Sequence, residues 1–378
     1  MAFFFKLIFL IWFISVSFTS LSLSSEKGIP CGGTFDNFIA AFRKEALIKG
    51  YSKKAINKSL SEVKFSKNVL DMDRKQTAFR MSFLEFSKRA INEYRLKNGK
   101  KNIQKYSNTF HQVEQQFGIP ASVITAFWAM ETDFGAVQGN FNTLSALATL
   151  SHDCRRPHLF QPELFAAIKL VDLNIIKPST TGAWAGEIGQ VQMLPKDILR
   201  FGRDADADGL IDLKGSAEDS IVTAATLIHD MGWLPNQPWI EEIDLPENFP
   251  WEEVGFGRSK LLSDWKSLGV KPIGNEFTTN LDLVSTVILP QGRRGPKFLA
   301  YPNYSIYLSW NNSFIYTVTA AHLANRLDGA SPYQDAGAVT CDYLDSPNTT
   351  SQINYKTTFA AANTSGTNAA IGSAGSLS

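Results

Sequence analysis

Residues Ala121 to Met130, reading ASVITAFWAM, carry no charge and lead straight into Glu131. Pro120 stands where a helix can begin, because its missing N–H is no loss there. Gly135 stands where the helix would close. A helix apolar on most of its sides has no broad face for solvent, so the rest of the fold must cover it. Glu131 falls in the last turn of that helix, among Phe127, Trp128, Met130 and Phe134. Desolvation and the negative end of the helix dipole both disfavour its charged form. Nearby Asp133 would add like-charge repulsion. A carboxylic acid held protonated near neutral pH is what the leaving oxygen of a glycosidic bond needs from a general acid.

A lone glutamate is ordinarily solvated. Here a second segment, TGAWAGEIGQVQMLP from Thr181 to Pro195, argues for a site. Gly182, Gly186 and Gly189 let the backbone approach a partner closely, while Gln190 and Gln192 offer amide hydrogen bonds.

Other segments set the plan. Apolar residues recur at helical spacing from Phe35 to Leu47, and Ser52 is placed to cap a second helix. The polar stretch Lys67 to Lys105 reads as helix with exposed basic faces. Helical patterns follow over Phe110 to Phe117, Leu144 to Leu150, Pro162 to Val171, Ser220 to Met231 and Tyr316 to Leu327. Between Trp239 and Leu289 prolines and glycines break the chain into short pieces, and Leu281 to Pro290 and Phe298 to Trp310 read as strands. The expected class is mainly α (α+β). Its parts are an N-terminal helical region over 31–108 and a core over 109–330, with a small β-rich insertion over about 240–297. From Ser346 onward Lys356 is the only charged side chain, and 331–378 is expected to be a disordered, low-complexity tail.

The first 25 residues have one lysine, Lys6, an apolar run from Leu7 to Phe18 and a small-residue exit. This matches a secretory signal and is short for a bilayer span, although retention as an anchor stays open. An exported, periplasmic protein would keep disulfides. One pair among Cys31, Cys154 and Cys341 can form, and the sequence does not say which. With 37 basic and 36 acidic residues, a nucleic-acid partner is not expected. The five histidines lack zinc-ligand spacing, and neither a Gly-x-Ser-x-Gly elbow nor a phosphate loop is present.

The pair FGIPASVITAFWAMETDFG and AGEIGQVQMLP resembles the lytic murein transglycosylase B family (glycoside hydrolase family 103). DADADGLIDL, IHDMGWLPNQPW and SWNNSFIYTVTAAHLANRL follow in the family's order, so the resemblance runs from about Cys31 to Leu327. It implies a lysozyme-like helical core and cleavage of peptidoglycan between N-acetylmuramic acid and N-acetylglucosamine, with 1,6-anhydromuramic acid ends. By that match Glu131 is the acid/base, Gln192 contacts substrate and Asn311 is the asparagine of a Tyr-Asn-x-Ser segment. The aromatic before it is Trp310, where the family has Tyr, so a hydroxyl contact is lost. Met193-Leu194-Pro195-Lys196 replaces the usual Met-Pro-Ser ending. Gln190, Trp184 and Trp310 are further substrate-contact candidates, although a buried tryptophan can equally be core.

Ordinary glycosidases need two carboxylates, and no second one has a comparable setting. The resemblance implies that the muramyl C6 hydroxyl is the nucleophile, so one acid/base suffices and no cofactor is required. A muramidase-type hydrolase and a catalytically silent glycan-binding protein are the rival readings. Asp204, Asp206, Asp208 and Asp212, with Gly209, follow the first positions of an EF-hand loop. Position twelve is Gly215, so Glu218 or Asp219 would have to complete a structural calcium site; solvated aspartates in a turn are the alternative. Arg155 and Arg156 are expected in a solvated loop, within reach of stem-peptide carboxylates. The partner expected is the peptidoglycan strand, met by a monomer.

Overall fold

The computed structural model of the protein describes residues 29–75, 81–274, 276–277 and 279–333. The expected signal segment, Cys341 and all but the first three residues of the tail expected over 331–378 lie outside these residues; of those three, Tyr333 packs against Phe83 and His322. Six helices come first: α1 (Phe35–Ile48), α2 (Lys53–Leu60), α3 (Lys67–Lys75), α4 (Phe83–Ala90), α5 (Glu93–Lys105) and α6 (Ser107–Phe117). The apolar helix is α7 (Ala121–Thr132). Then come β1 (Phe141–Asn142), α8 (Thr143–His152), α9 (Pro157–Asp172), β2 (Thr181–Gly182), α10 (Pro195–Phe201) and α11 (Ala217–Asp230). A sheet-bearing segment holds β3 (Ile240–Asp244), β4 (Lys260–Leu261), α12 (Leu262–Ser267), β5 (Lys271–Pro272), β6 (Val284–Ile288) and β7 (Lys297–Ala300). Helices α13 (Tyr304–Trp310) and α14 (Phe314–Leu327) close the described chain.

Every residue of α7 from Ser122 to Thr132 is buried. Helices α5, α6, α11 and α14 pack around it, as an all-round apolar sequence requires. Helices α1, α2 and α3 cover α8 and α9. The segment before α1 is tied to the end of α8 by the Cys31–Cys154 disulfide, whose Cα atoms are 5.2 Å apart. Gln161 adds to the tie, donating to the carbonyl of Ile29 and accepting from its N–H.

The sheet is antiparallel in the order β4-β6-β7-β3-β5. It is buried on both sides, and the alternation of side chains along a strand explains how. On β7, Phe298 and Ala300 face the main core, whereas Leu299 joins a separate small core with Ile243, Leu262, Trp265 and Val287.

Three sequence expectations need correction. The stretch Lys67 to Lys105 is three helices, α3 to α5, because Ser82 and Glu85 form a capping box before α4 and Asn92 caps α5. Phe298 to Trp310 is a strand only to Ala300; beyond Pro302 it is helix α13, with Tyr304 and Tyr307 buried at helical spacing. Finally, α7 closes at Thr132 rather than at Gly135, since Asp133 and Phe134 already have left-handed φ of 49° and 62°.

Candidate active site

Glu131 lies one residue from the end of α7, 8% exposed. Its Oε1 accepts two hydrogen bonds, from the Trp310 indole N–H at 2.9 Å and from the Tyr316 hydroxyl at 2.5 Å. Burial, and then the Glu131 charge, push the Tyr316 hydroxyl well above its ordinary range, so it stays a donor. Trp310 is fixed by stacking on Phe127, ring centroids 4.3 Å apart. Asn311 is buried and closes α13. Its side-chain oxygen accepts from the Ser313 N–H at 2.8 Å, and Ser313 in turn caps α14 by accepting from the Tyr316 N–H. That one turn therefore aims both Trp310 and Tyr316 at the carboxylate. Trp310, standing where the resemblance expects Tyr, presents its indole N–H to that carboxylate.

Asp133 does not act on Glu131 as a free charge. It is held by Arg95, Nε to Oδ1 at 2.6 Å, and Arg95 is itself 7% exposed. The left-handed turn after α7 makes this possible by sending Asp133 back along α5.

The glycine-rich segment closes the other side. β1 and β2 pair antiparallel, and a loop runs from Gly182 to a bridge between Ile188 and Met193. A Cβ on Gly182 would lie 1.9 Å from the Glu187 carbonyl, and one on Gly186 would lie 2.4 Å from Leu147. These glycines therefore serve close backbone packing. Thr132 donates to the carbonyl of Gln190 at 2.5 Å, joining the loop to α7. Gln190 is buried, with its amide oxygen accepting from the Trp128 indole at 3.1 Å. Gln192 is half-buried at a φ of 51°, and its amide donates to the Gly189 carbonyl at 2.8 Å. Trp184 is 6% exposed and belongs to the main core. Trp310 and Tyr316 are thus brought onto Glu131. Gln190 and Trp184 are placed in the packing behind the loop.

Two residues of the site escaped sequence reasoning. Tyr316 lay inside a segment already marked, three residues after the capping Ser313, where a first-turn side chain points back at the cap. Glu187 is the only charged residue between Thr181 and Pro195. It is 3% exposed, and neither carboxyl oxygen has a partner in hydrogen-bond geometry. Burial first, and then the Glu131 charge, raise its pKa to about 8; backbone amides of Glu187 and Ala185 and the Arg156 charge offset this only in part.

Arg155 and Arg156 are not a solvated pair. Both bind the buried carboxylate of Asp73 at the end of α3, Arg155 at 2.5 Å. His322 is buried with both ring nitrogens unpartnered, and burial drives its pKa down to about 3, so it is neutral.

In the acidic loop, carboxylate oxygens of Asp204, Asp206 and Asp219 lie within 4.8 Å of one another. This differs from the expected set. Asp208 accepts from the Leu210 N–H and Asp212 from those of Lys214 and Gly215. Asp219 comes in from the first turn of α11, buried and accepting from the N–H groups of Ala205 and Asp212 at 2.7 Å each. Away from both places, a cavity of about 660 Å³ is lined by Phe117, His229, Trp233 and Trp239 and does not reach Glu131.

Comparison with known proteins places these features among cell-wall enzymes. The model of the transglycosylase SLT domain family matches residues 34–325. Membrane-bound lytic murein transglycosylase B of Escherichia coli is 24% identical over 253 residues, 65% of this chain and 67% of that one. The structure of SltB3 from Pseudomonas aeruginosa in complex with NAG-anhNAM-pentapeptide is 29% identical, with a TM-score of 0.77 over 82% of this chain and 83% of that one. The same protein in complex with NAG-NAM-pentapeptide superposes with a TM-score of 0.78. Slt35 of E. coli in complex with calcium, 23% identical, shares the fold with a TM-score of 0.66 over 80% of this chain and 97% of that one.

Proposed function

The chain belongs to the transglycosylase SLT domain family, and from that premise we propose that it is a peptidoglycan lytic transglycosylase with Glu131 as its one acid/base. It cleaves the β-1,4 bond between N-acetylmuramic acid and N-acetylglucosamine and leaves 1,6-anhydromuramic acid ends. The observation that carries the site is the single carboxylate at the end of α7 with two neutral donors on one oxygen.

Protonated Glu131 gives its proton to the bridging oxygen as the C1–O bond breaks. The donors on Oε1 stabilise the carboxylate that results. That carboxylate then takes the proton of the muramyl C6 hydroxyl as its oxygen bonds to C1, closing the anhydro ring and restoring the acid. No water enters, and the nucleophile is held by the substrate itself. The surroundings favour this route over hydrolysis, which needs a second carboxylate at the sugar. Asp133 is engaged by Arg95, and Glu187 is 3% exposed. The related P. aeruginosa protein is described with both the NAM-containing and the anhNAM-containing fragment.

Gln192, Trp310 and Asn311 lie on the two segments flanking Glu131, and the reading assigns them to the glycan. Asp204, Asp206 and Asp219 fit a structural calcium ion, because they offer three carboxylate oxygens within 4.8 Å of one another, the hard oxygen donors that calcium takes. Calcium would pin the loop between α10 and α11 and takes no part in the chemistry. Chelation should lower the melting temperature without changing the products, and an unchanged melting curve would remove the ion from the reading. The protein acts on the wall after export directed by residues 1–25; among the described residues no helix is long and apolar enough to cross a membrane.

The test is mass spectrometry of muropeptides released from purified peptidoglycan. Products one water lighter than reducing muropeptides are expected. Reducing-end products would make the enzyme a hydrolase, and a folded protein that releases nothing would make it a binder.

A further inference from the structure

The segment IHDMGWLPNQPW, Ile228 to Trp239, has no part in the reaction as written. In the fold it forms one wall of the cavity of about 660 Å³ that does not reach Glu131. The end of α6 forms another wall, with Phe117 and Gly118, and Pro120 lines the cavity just before α7 begins. Glu131 lies at the opposite end of α7, about 16 Å further along its axis at about 1.5 Å per residue.

The wall is rigid for a surface turn. Asn303, 1% exposed, commits its whole side-chain amide to it. That amide accepts from the Leu234 N–H and donates to the carbonyls of Leu234 and Gln237, each at 2.8 Å. Pro235 and Pro238 restrict φ at two further positions. A Cβ on Gly118 would lie 2.6 Å from Pro235, so the two walls meet there. Both tryptophans direct their N–H groups into the fold, Trp233 to the Gly118 carbonyl at 2.8 Å and Trp239 to that of Ala321 at 2.9 Å. What they offer the cavity is therefore ring. Phe117 and the exposed His229 add two more rings, with centroids 5.0 Å apart.

The polar lining is amide and acid. Gln115, Gln116, Asn236 and Gln237 supply amides and Glu114 a carboxylate, and among the described residues no lysine or arginine lines the cavity. The side-chain oxygen of Gln237 is sealed from water without a hydrogen-bond partner, a rare state for a polar atom. An anion finds no cation here, and a wholly apolar ligand would strip water from the amides without replacing it. Rings for apolar faces, with amides for hydroxyl and N-acetyl groups, suit a neutral amino sugar. The volume is that of a small-ligand site and has room for a disaccharide. Resting on the reading of the chain as a peptidoglycan enzyme, we propose that this cavity is a second glycan site. It takes a neutral N-acetylated disaccharide unit of the wall and does not cleave it. Two contacts with one polymer raise retention through effective concentration, so the site holds the enzyme on the wall between cuts.

Two indoles report on the two places, Trp233 at the cavity and Trp310 on Glu131. The experiment titrates the protein, isotope-labelled at tryptophan, with N,N′-diacetylchitobiose and follows both indole N–H resonances. The Trp233 signal should move with a midpoint of its own, distinct from that of any change at Trp310. In His229→Ala and Gln237→Ala that midpoint should rise about fivefold, as loss of one ring or hydrogen-bond contact does. An unaltered Trp310 signal in the sugar-free variants shows that the fold is kept. Release of anhydromuropeptides by the variants should fall several-fold on intact sacculi and hold level on short soluble strands, which cannot bridge both sites. A Trp233 signal that stays put at saturating sugar, or that moves equally well in both variants, would overturn the second site. Failure of the wild-type protein to make anhydro products from short strands would instead sink the enzymatic reading, so the two failures are distinguishable.

Discussion

Asp73 and Glu187 are both nearly sealed from water, 1% and 3% exposed, yet their surroundings are opposite. Asp73, at the end of α3, has two guanidinium groups on its carboxylate. Glu187 has no such group on its oxygens, and Oε1 of Glu131 accepts from a neutral indole and a neutral phenol. A buried carboxylate with cations on it serves as a clamp, here joining α3 to the segment between α8 and α9. A buried carboxyl with neutral neighbours keeps its proton within reach of neutral pH and can exchange it. Burial alone therefore does not mark a catalytic carboxyl.

The sharpest way to break this contrast is to delete one member of each kind. Glu131→Gln should lower the rate of anhydromuropeptide release by about three orders of magnitude, as loss of a general acid/base does. Its melting temperature should not fall, since a neutral amide replaces a group whose protonated form was already neutral. Asp73→Ala should do the reverse. Removing one side of a buried pair leaves charge without a partner, typically about 3–5 kcal/mol. Arg155 and Arg156 are 39% and 22% exposed, so water relieves part of that, and about 2–3 kcal/mol of lost stability is expected. Activity per folded molecule should stay within about twofold of wild type. If Asp73→Ala instead shifted the pH–rate profile, the clamp would be coupled to the site through Arg156 and the contrast would fail.

How much of this was legible in the sequence follows the same line. The apolar run before Glu131 forced a central helix, because no amphipathic alternative exists for ASVITAFWAM, and apolar residues at helical spacing marked most other helices. What escaped was long-range. The pairing of Arg155 and Arg156 with Asp73 joins residues more than eighty positions apart, and an arginine pair in a loop reads as solvated until the fold brings it an acid. The Cys31–Cys154 pair, 123 residues apart, is equally invisible to local pattern. Glu187 was visible as the lone charge in a glycine-rich loop. Its meaning was hidden, since only the fold shows that this side chain is buried without a hydrogen-bond partner. Phe298 to Trp310 misled for a different reason: aromatic residues serve strand and helix alike, and the period is ambiguous over so short a run.

The smallest expected effect is also the one that isolates Glu187 without any assay of turnover. Its folded-state pKa, about 8, lies above the ordinary 4.5, so the folded protein binds a proton that the unfolded chain has lost. The stability this contributes is complete below pH 4.5 and gone once pH rises through about 8. Other buried groups blur the lower part of that range. His322, with its pKa near 3 against an ordinary 6.5, works in the opposite sense, and its stability is complete above pH 6.5. Glu163, raised to about 7 chiefly by burial, is still mostly protonated at pH 6.5 and loses its contribution as pH rises through about 7, whereas Asp197, raised to about 6, is largely titrated by then. The window from pH 6.5 to 8 therefore belongs to Glu187 throughout and, in its lower half, to Glu163 as well. At about 1.4 kcal/mol per unit, denaturant unfolding should show stability falling by about 2 kcal/mol across it. Glu187→Gln should remove the upper part of that slope, leaving the part near pH 7 that belongs to Glu163, and gain at the alkaline end, while Asp73→Ala should leave the slope intact and lower the whole curve. A slope between pH 7.5 and 8 that survives Glu187→Gln would mean that the proton bound on folding sits elsewhere, and the contrast between Asp73 and Glu187 would fall.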